Sequence, residues 1–389
     1  MKQIYLDYNS TTPLDKRVLE VMMPYLTDKC GNASSVHHAG REAKTGLEGA
    51  REQVADVLGA EPSEIYFTSG GTESDNLALR GAAYYLRKKR NHIIVSSIEH
   101  HAVLMTAKAL EKEGFAVEYL EVDRDGLVLP EKLREKVTDQ TAIVSVMHVN
   151  NEVGSIQNIS ELSAIAHEKG ALFHTDAVQS VGKISVNVED LGIDLLALSG
   201  HKLCGPKGAG GLYVRSGVKI TPLMQGGHHE KKRRPGTENI PAIVGLGEAI
   251  RLAEQTREPE HARLTKLSDY FIEAVQKRIP NVYLNGPRDE RRMPSTVNLS
   301  FEYIEGESII LSLDLKGVEV ASGSACTSGS LDPSHVLLAM GVSTELAQGS
   351  IRFSMGRFTT REDLEYTVSV LPEIIERLRS MSPLYHGTG

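Results

Sequence analysis

Between about residue 60 and residue 215, short apolar runs alternate with longer amphipathic stretches. The segments EIYFTSG (64–70), HIIVSSIEH (92–100), TAIVSVMHV (141–149), ALFHTDAVQ (171–179), DLLALSGHK (194–202) and GLYVR (211–215) are rich in Ile, Val, Leu and Phe. Such runs read as strands buried on both faces. Amphipathic segments lie between many of them, such as Glu161 to Lys169, which stops at Gly170 as a helix C-cap does. Strands alternating with helices predict an α/β fold, a mostly parallel sheet covered on both sides. In such sheets ligands bind just past the strand ends, and here polar residues cluster there.

After about residue 255 the texture changes. A charged helical stretch, TREPEHARLTKLSDYFIEAVQKRI, leads into a second strand-and-helix set that includes PSTVNLSF and GVEVASG. The last helix is expected from about Arg361, with a capping box formed by Thr359 and Glu362. The pattern divides the chain into a large domain, 15–255, and a smaller one made of 1–14 and 256–389. One stretch, ASGSACTSGS at 321–330, contains only Ala, Ser, Gly, Thr and Cys.

The length of 389 residues suits two domains, and 40% hydrophobic with 24% charged residues is the balance of a globular protein. A net charge of −8 argues against nucleic acid as a direct partner. No apolar run approaches the roughly 18 residues of a membrane span, and MKQIYLDYNS has no signal-peptide core, so a cytoplasmic location is expected. Cys30, Cys204 and Cys326 are scattered, with neither disulfide nor zinc spacing. His37–His38 and His228–His229 lack further spaced ligands, so no metal is expected.

Four segments carry chemistry. SGHKLCGPKG puts Lys202 at the end of an apolar strand, where desolvation favours an imine with a carbonyl cofactor. Asp176, in FHTDAVQS, ends another strand and can pair with a protonated pyridine nitrogen, with Gln179 near the ring's phenolic oxygen. In GGTESDN, Gly70, Gly71 and Thr72 open a helix and leave N–H groups for a phosphate, with Ser199 and His201 as side-chain donors. His100, at a further strand end, can stack on a pyridine face and move protons. Each has a bland alternative: a solvated lysine, an N-cap, an ordinary turn, a surface histidine. Together they point to pyridoxal phosphate.

YLDYNSTTP, GNASSVH, HVNNEVG, RRPGTEN, SGSACTS and IRFSMGRFTT, in this order and spacing, resemble the cysteine desulfurases of the NifS/IscS type, within the pyridoxal-phosphate fold-type I. The resemblance covers essentially the whole chain. It implies a large domain with a mostly parallel seven-stranded sheet and a smaller α/β domain. It implies Lys202 holding pyridoxal phosphate, Asp176 on the ring nitrogen, Gln179 and Asn151 near the phenolic oxygen, and His100 over the ring. Gly71, Thr72, Ser199 and His201 would hold the phosphate, and Thr237 would reach the phosphate of the partner in a homodimer. Arg352, with Asn151, would bind the carboxylate of L-cysteine, and Cys326 would accept its sulfur for an iron–sulfur scaffold or another acceptor. Ten small residues around Cys326 also suit an arm able to swing. Ala33 and Gly71 depart from the family's usual proline and alanine, without touching the chemistry. GGHHEKKRRPGTEN and FEYIEGE lean towards the nitrogen-fixation type. A selenocysteine lyase or another fold-type I enzyme would keep Lys202 and Asp176 without needing Cys326; a non-enzymatic scaffold that only docks assembly proteins would tolerate loss of Lys202.

Overall fold

The structure, a computed structural model, describes residues 3–323, 332–383 and 385. Its strands are β1 (Ile4–Tyr5), β2 (Ile65–Thr68), β3 (His92–Ser96), β4 (Ala116–Leu120), β5 (Thr141–Ser145), β6 (Leu172–Asp176), β7 (Leu195–Ser199), β8 (Gly210–Val214), β9 (Val282–Asn285), β10 (Thr296–Phe301), β11 (Val318–Glu319) and β12 (Ser350–Ser354). A seven-stranded sheet runs in the order β2-β8-β7-β6-β5-β3-β4. The pairs of β3 with β4 and β5, β5 with β6, and β6 with β7 are parallel, and β8 is antiparallel to both its neighbours. The fold is α/β, as the alternation predicts.

β3, β5, β7 and β8 are buried at every position, because helices cover both faces. β4 is absent from the six runs read from the sequence. It is an edge strand whose AVEYL is mostly half-exposed, so no continuous apolar run marks it. The helix Ile159–Glu168 does end at Gly170, which takes φ 67°, a left-handed conformation suited to glycine.

A three-stranded antiparallel sheet, β12-β10-β9, anchors a separate hydrophobic cluster. Phe271, Phe301, Phe353, Leu299 and Leu371 pack there with Ile4 and Leu6 from the N-terminal segment. The textural change at residue 255 is not a break in the chain. One helix, Ile240–Arg278, places Ile240, Leu246 and Ile250 in the core under the large sheet and Leu267, Phe271 and Val275 in the smaller core. The charged residues between cross from one core to the other, stapled by Arg257–Glu254 and Arg263–Glu260 pairs three residues apart.

The last helix starts at Arg361, but its capping box is Thr360 with Asp363, one residue later than expected. Thr359 is engaged elsewhere: its Oγ1 accepts the Gly356 N–H at 3.0 Å and closes the preceding turn. Among the described residues no helix is long and apolar enough to cross a membrane.

Candidate active site

Parallel strands deliver their ends to one edge of the sheet, and a cleft of about 350 Å³ opens there. Asp176 is the last residue of β6, Ser199 the last of β7, and Lys202 follows three residues on. His100 lies four residues past β3 and caps the helix His101–Lys112, its Nδ1 accepting the Ala102 N–H at 3.1 Å. That bond leaves Nε2 to carry the hydrogen in the neutral ring. The helix Gly71–Leu86 starts at the same edge, with Gly70 as its N-cap at φ 155°. A Cβ on Gly210 of β8 would lie 2.5 Å from the Gly70 Cα, so this approach needs glycine.

Lys202, His100, Asp176, Gln179, Asn151, Gly71, Thr72, Ser199, His201 and Arg352 all line this cleft. Thr237 does not; it is exposed and lines a separate depression with Ser69, Glu230 and Arg234. Cys326 lies outside the described residues, although Gly323, three positions earlier, borders the cleft. Cys204 is buried, and burial pushes its thiol up, as expected of a packing cysteine.

Lys202 Nζ donates to the carbonyls of Asn9 at 2.5 Å and Ser10 at 2.8 Å. Gln179 is held at both ends: Nε2 donates to Asn9 O at 2.9 Å, and Oε1 accepts Lys183 Nζ at 2.6 Å. Burial, and then the charge of Lys202, depresses Lys183 to about 7. His201 is lowered to about 4 for the same two reasons and stays neutral at pH 7.

Asp176 Oδ1 accepts the Val178 N–H at 2.9 Å. Burial pushes this carboxyl up, while His100, the Val178 N–H and Lys202 pull it down. Two further carboxyls stand behind it. Asp75 is raised by burial and by Asp176, and Glu99 is raised to about 8 by burial although Ser96 Oγ and Met147 N donate to its Oε1 at 2.5 and 2.6 Å. A dry aspartate beside two such acids gains from a cationic neighbour.

Asn9, Ser10, Asp75 and Met147 also line the cleft and were assigned no role from the sequence. The block YLDYNSTTP was the signal for Asn9 and Ser10, and GGTESDN for Asp75, one helical turn beyond Gly71. Asn9 Nδ2 donates to Asn151 O at 3.0 Å and Thr296 Oγ1 at 2.8 Å, and Thr12 N donates to His201 O at 3.0 Å. Asn9 Oδ1 and Asp75 Oδ1 are buried without hydrogen-bond partners among the described residues. An amine at a strand end, a dry carboxylate and a helix N-terminus form a set of groups that fits a pyridine aldehyde carrying a phosphate.

Residues 4–367 match the family Aminotransferase class-V. The chain is 56% identical over 382 residues to the cysteine desulfurase IscS of Dictyoglomus turgidum, covering 98% of this chain and 97% of that one. This chain belongs to the cysteine desulfurases. A second such desulfurase, from Methanosarcina thermophila, is 52% identical over 98% of this chain and 94% of its own. Among solved structures, a NifS-like protein superposes with TM-score 0.91 at 39% identity, covering 97% of this chain and all of that one. A NifS-like protein of Rickettsia africae gives 0.87 at 34% identity, over 96% of this chain and 100% of its own. Cysteine desulfurases of this class are pyridoxal-phosphate enzymes, and Lys202, Asp176, and Gly71 with Thr72 are the groups here that would hold the aldehyde carbon, the ring nitrogen and the phosphate.

Proposed function

We propose that this desulfurase takes sulfur from L-cysteine onto Cys326 and releases L-alanine, in the cytoplasm, as a homodimer in which Thr237 serves the partner's phosphate. The observation that carries the reading is the convergence of Lys202, Asp176, His100 and Arg352 on one cleft that Gly323 also borders. Bound pyridoxal phosphate supplies an electron sink next to the amino acid's α-carbon. Arg352 and Asn151 hold the substrate carboxylate, which sets the α-C–H bond beside Lys202. Lys202 takes that proton. Asp176 keeps a positive charge on the ring nitrogen, and His100 Nε2 is the second group able to move a proton.

The Cys326 thiolate then forms an S–S bond with the substrate sulfur as the substrate's C–S bond breaks. The electron pair of that bond stays with the carbon skeleton, which is protonated to alanine. The persulfide on Cys326 is handed to an iron–sulfur scaffold or another acceptor, and a reductant or acceptor thiol resets the cysteine. The reading also assigns the chain two domains, with the boundary near 255 inside the helix Ile240–Arg278.

The test compares alanine release from L-cysteine plus dithiothreitol in the wild type and in Cys326→Ala. Loss of alanine with the cofactor's yellow colour retained supports Cys326 as acceptor. Undiminished release would remove the persulfide route and favour a lyase of the selenocysteine type.

A further inference from the structure

The arginine assigned to the substrate carboxylate already holds a carboxylate of this chain. Arg352 comes from β12 with its side chain 3% exposed. Its Nη2 donates to Asp7 Oδ1 at 2.9 Å and to Ser10 Oγ at 2.7 Å. The Ser10 hydroxyl in turn donates to Asp7 Oδ1 at 2.8 Å, so it bridges the ion pair. Nη1 donates to Asn151 O at 3.1 Å. Nε is buried and has no hydrogen-bond partner among the described residues.

A guanidinium has five N–H donors in a flat fork: one on Nε and two on each terminal nitrogen. A carboxylate can meet two of them in parallel on either of two edges, Nε with Nη2 or Nη1 with Nη2. Both edges use Nη2. Asp7 Oδ1 and Ser10 Oγ both accept from Nη2, so a two-pronged substrate meets a resident carboxylate on the nitrogen that both edges share. Asp7 is itself anchored by its backbone, which pairs with Ser354 and accepts the Tyr5 hydroxyl at 3.0 Å. It cannot simply drift off with the loop.

We propose that Asp7 is a specificity-determining counter-ion of Arg352, a resident carboxylate that competes with the carboxylate of the incoming α-amino acid. It keeps a buried cation neutralised and aligned before substrate arrives, and it weakens the grip on every amino acid that enters. Ser10 shares the role through its bridge. The inference rests on Arg352 being the carboxylate-binding group.

The experiment is calorimetric titration of the cofactor-loaded enzyme with L-alanine, which keeps the carboxylate, and with ethylamine, which lacks it. Asp7→Asn keeps the shape of the side chain and removes its charge. It is expected to bind L-alanine about tenfold tighter, with ethylamine unchanged and the KM for L-cysteine lower without a rise in kcat. Ser10→Ala is expected to tighten L-alanine about twofold, and it decides the matter if Asp7→Asn folds poorly. Unchanged or weaker L-alanine binding, or equal changes for both ligands, overturns the counter-ion. Arg352→Gln separates the two ideas. If it weakens L-alanine selectively while Asp7→Asn is silent, only the counter-ion fails; if it affects both ligands alike, the carboxylate-binding assignment fails first.

Discussion

The cleft has two walls of different origin. One is the edge of the large sheet, where Asp176, Ser199, Lys202, His100 and Asn151 each stand at or just beyond the end of a parallel strand. The other is Asn9 and Ser10 with Arg352, backed by Asp7, where residues about 345 positions apart meet. Strand-end side chains reach the cleft because the sheet's topology brings every parallel strand to the same edge. The second wall depends on tertiary assembly alone. Its short strand β1 pairs with β11, and Asn9 ties together Asn151, Thr296 and Ser354. In the proposed reaction the first wall would carry the groups that react, and the second those that orient and balance them.

That contrast breaks most sharply at Lys202. Lys202→Ala should cut alanine release by at least about 10²–10⁴-fold and abolish the yellow colour, while the thermal midpoint falls only as far as the lost bonds to Asn9 O and Ser10 O require. A large loss of stability instead would mean that this wall is structural too.

Behind the first wall, Glu99 gives a pH signature. Its folded pKa of about 8 lies above the ordinary 4.5, so the folded chain holds a proton that the unfolded chain has released. Between about pH 4.5 and 8 this makes stability fall as pH rises, with a slope approaching about 1.4 kcal/mol per unit for a fully buried group. Glu99→Gln keeps an oxygen for Ser96 and Met147. It should flatten that slope in urea unfolding measured at pH 5, 6.5 and 8. An unchanged slope would place the charge elsewhere.

On the second wall the effect should be structural first. Asn9→Ala removes donors to Asn151 O and Thr296 Oγ1, both in buried surroundings, and should cost about 1–3 kcal/mol in urea unfolding. Activity and stability should fall together, unlike the Lys202 result. The smallest expected effect lies at the phosphate cradle. A Cβ on Gly71 would sit 2.7 Å from Val178 Cγ2, so Gly71→Ala should weaken cofactor retention a few-fold in a dialysis assay, with recovery in the double variant Gly71→Ala/Val178→Ala. Equal losses in both would mean that the Val178 side chain is not what limits the site.

Much of the first wall was legible before the structure. The strands there are rich in apolar residues, and the polar groups of the proposed site stand at or just past their ends. Thr237, assigned to the phosphate of a partner subunit, lines a separate depression with Ser69 and Arg234, and that role needs a second copy of the chain. The strand β4 escaped notice because an edge strand buries only part of its surface. Thr359 is not the cap: two threonines stand side by side, and only the backbone decides which one faces the helix.

The α/β class, the strand ends of the first wall and the lysine, aspartate and histidine on them are written in short stretches of sequence. Burial and periodicity are local properties, and a few consecutive residues record them. Asp7 against Arg352, Asp75 and Glu99 behind Asp176, and one helix shared by both cores are contacts of the folded chain. Those contacts join residues far apart in the chain, and no short pattern encodes which distant partner will close the gap.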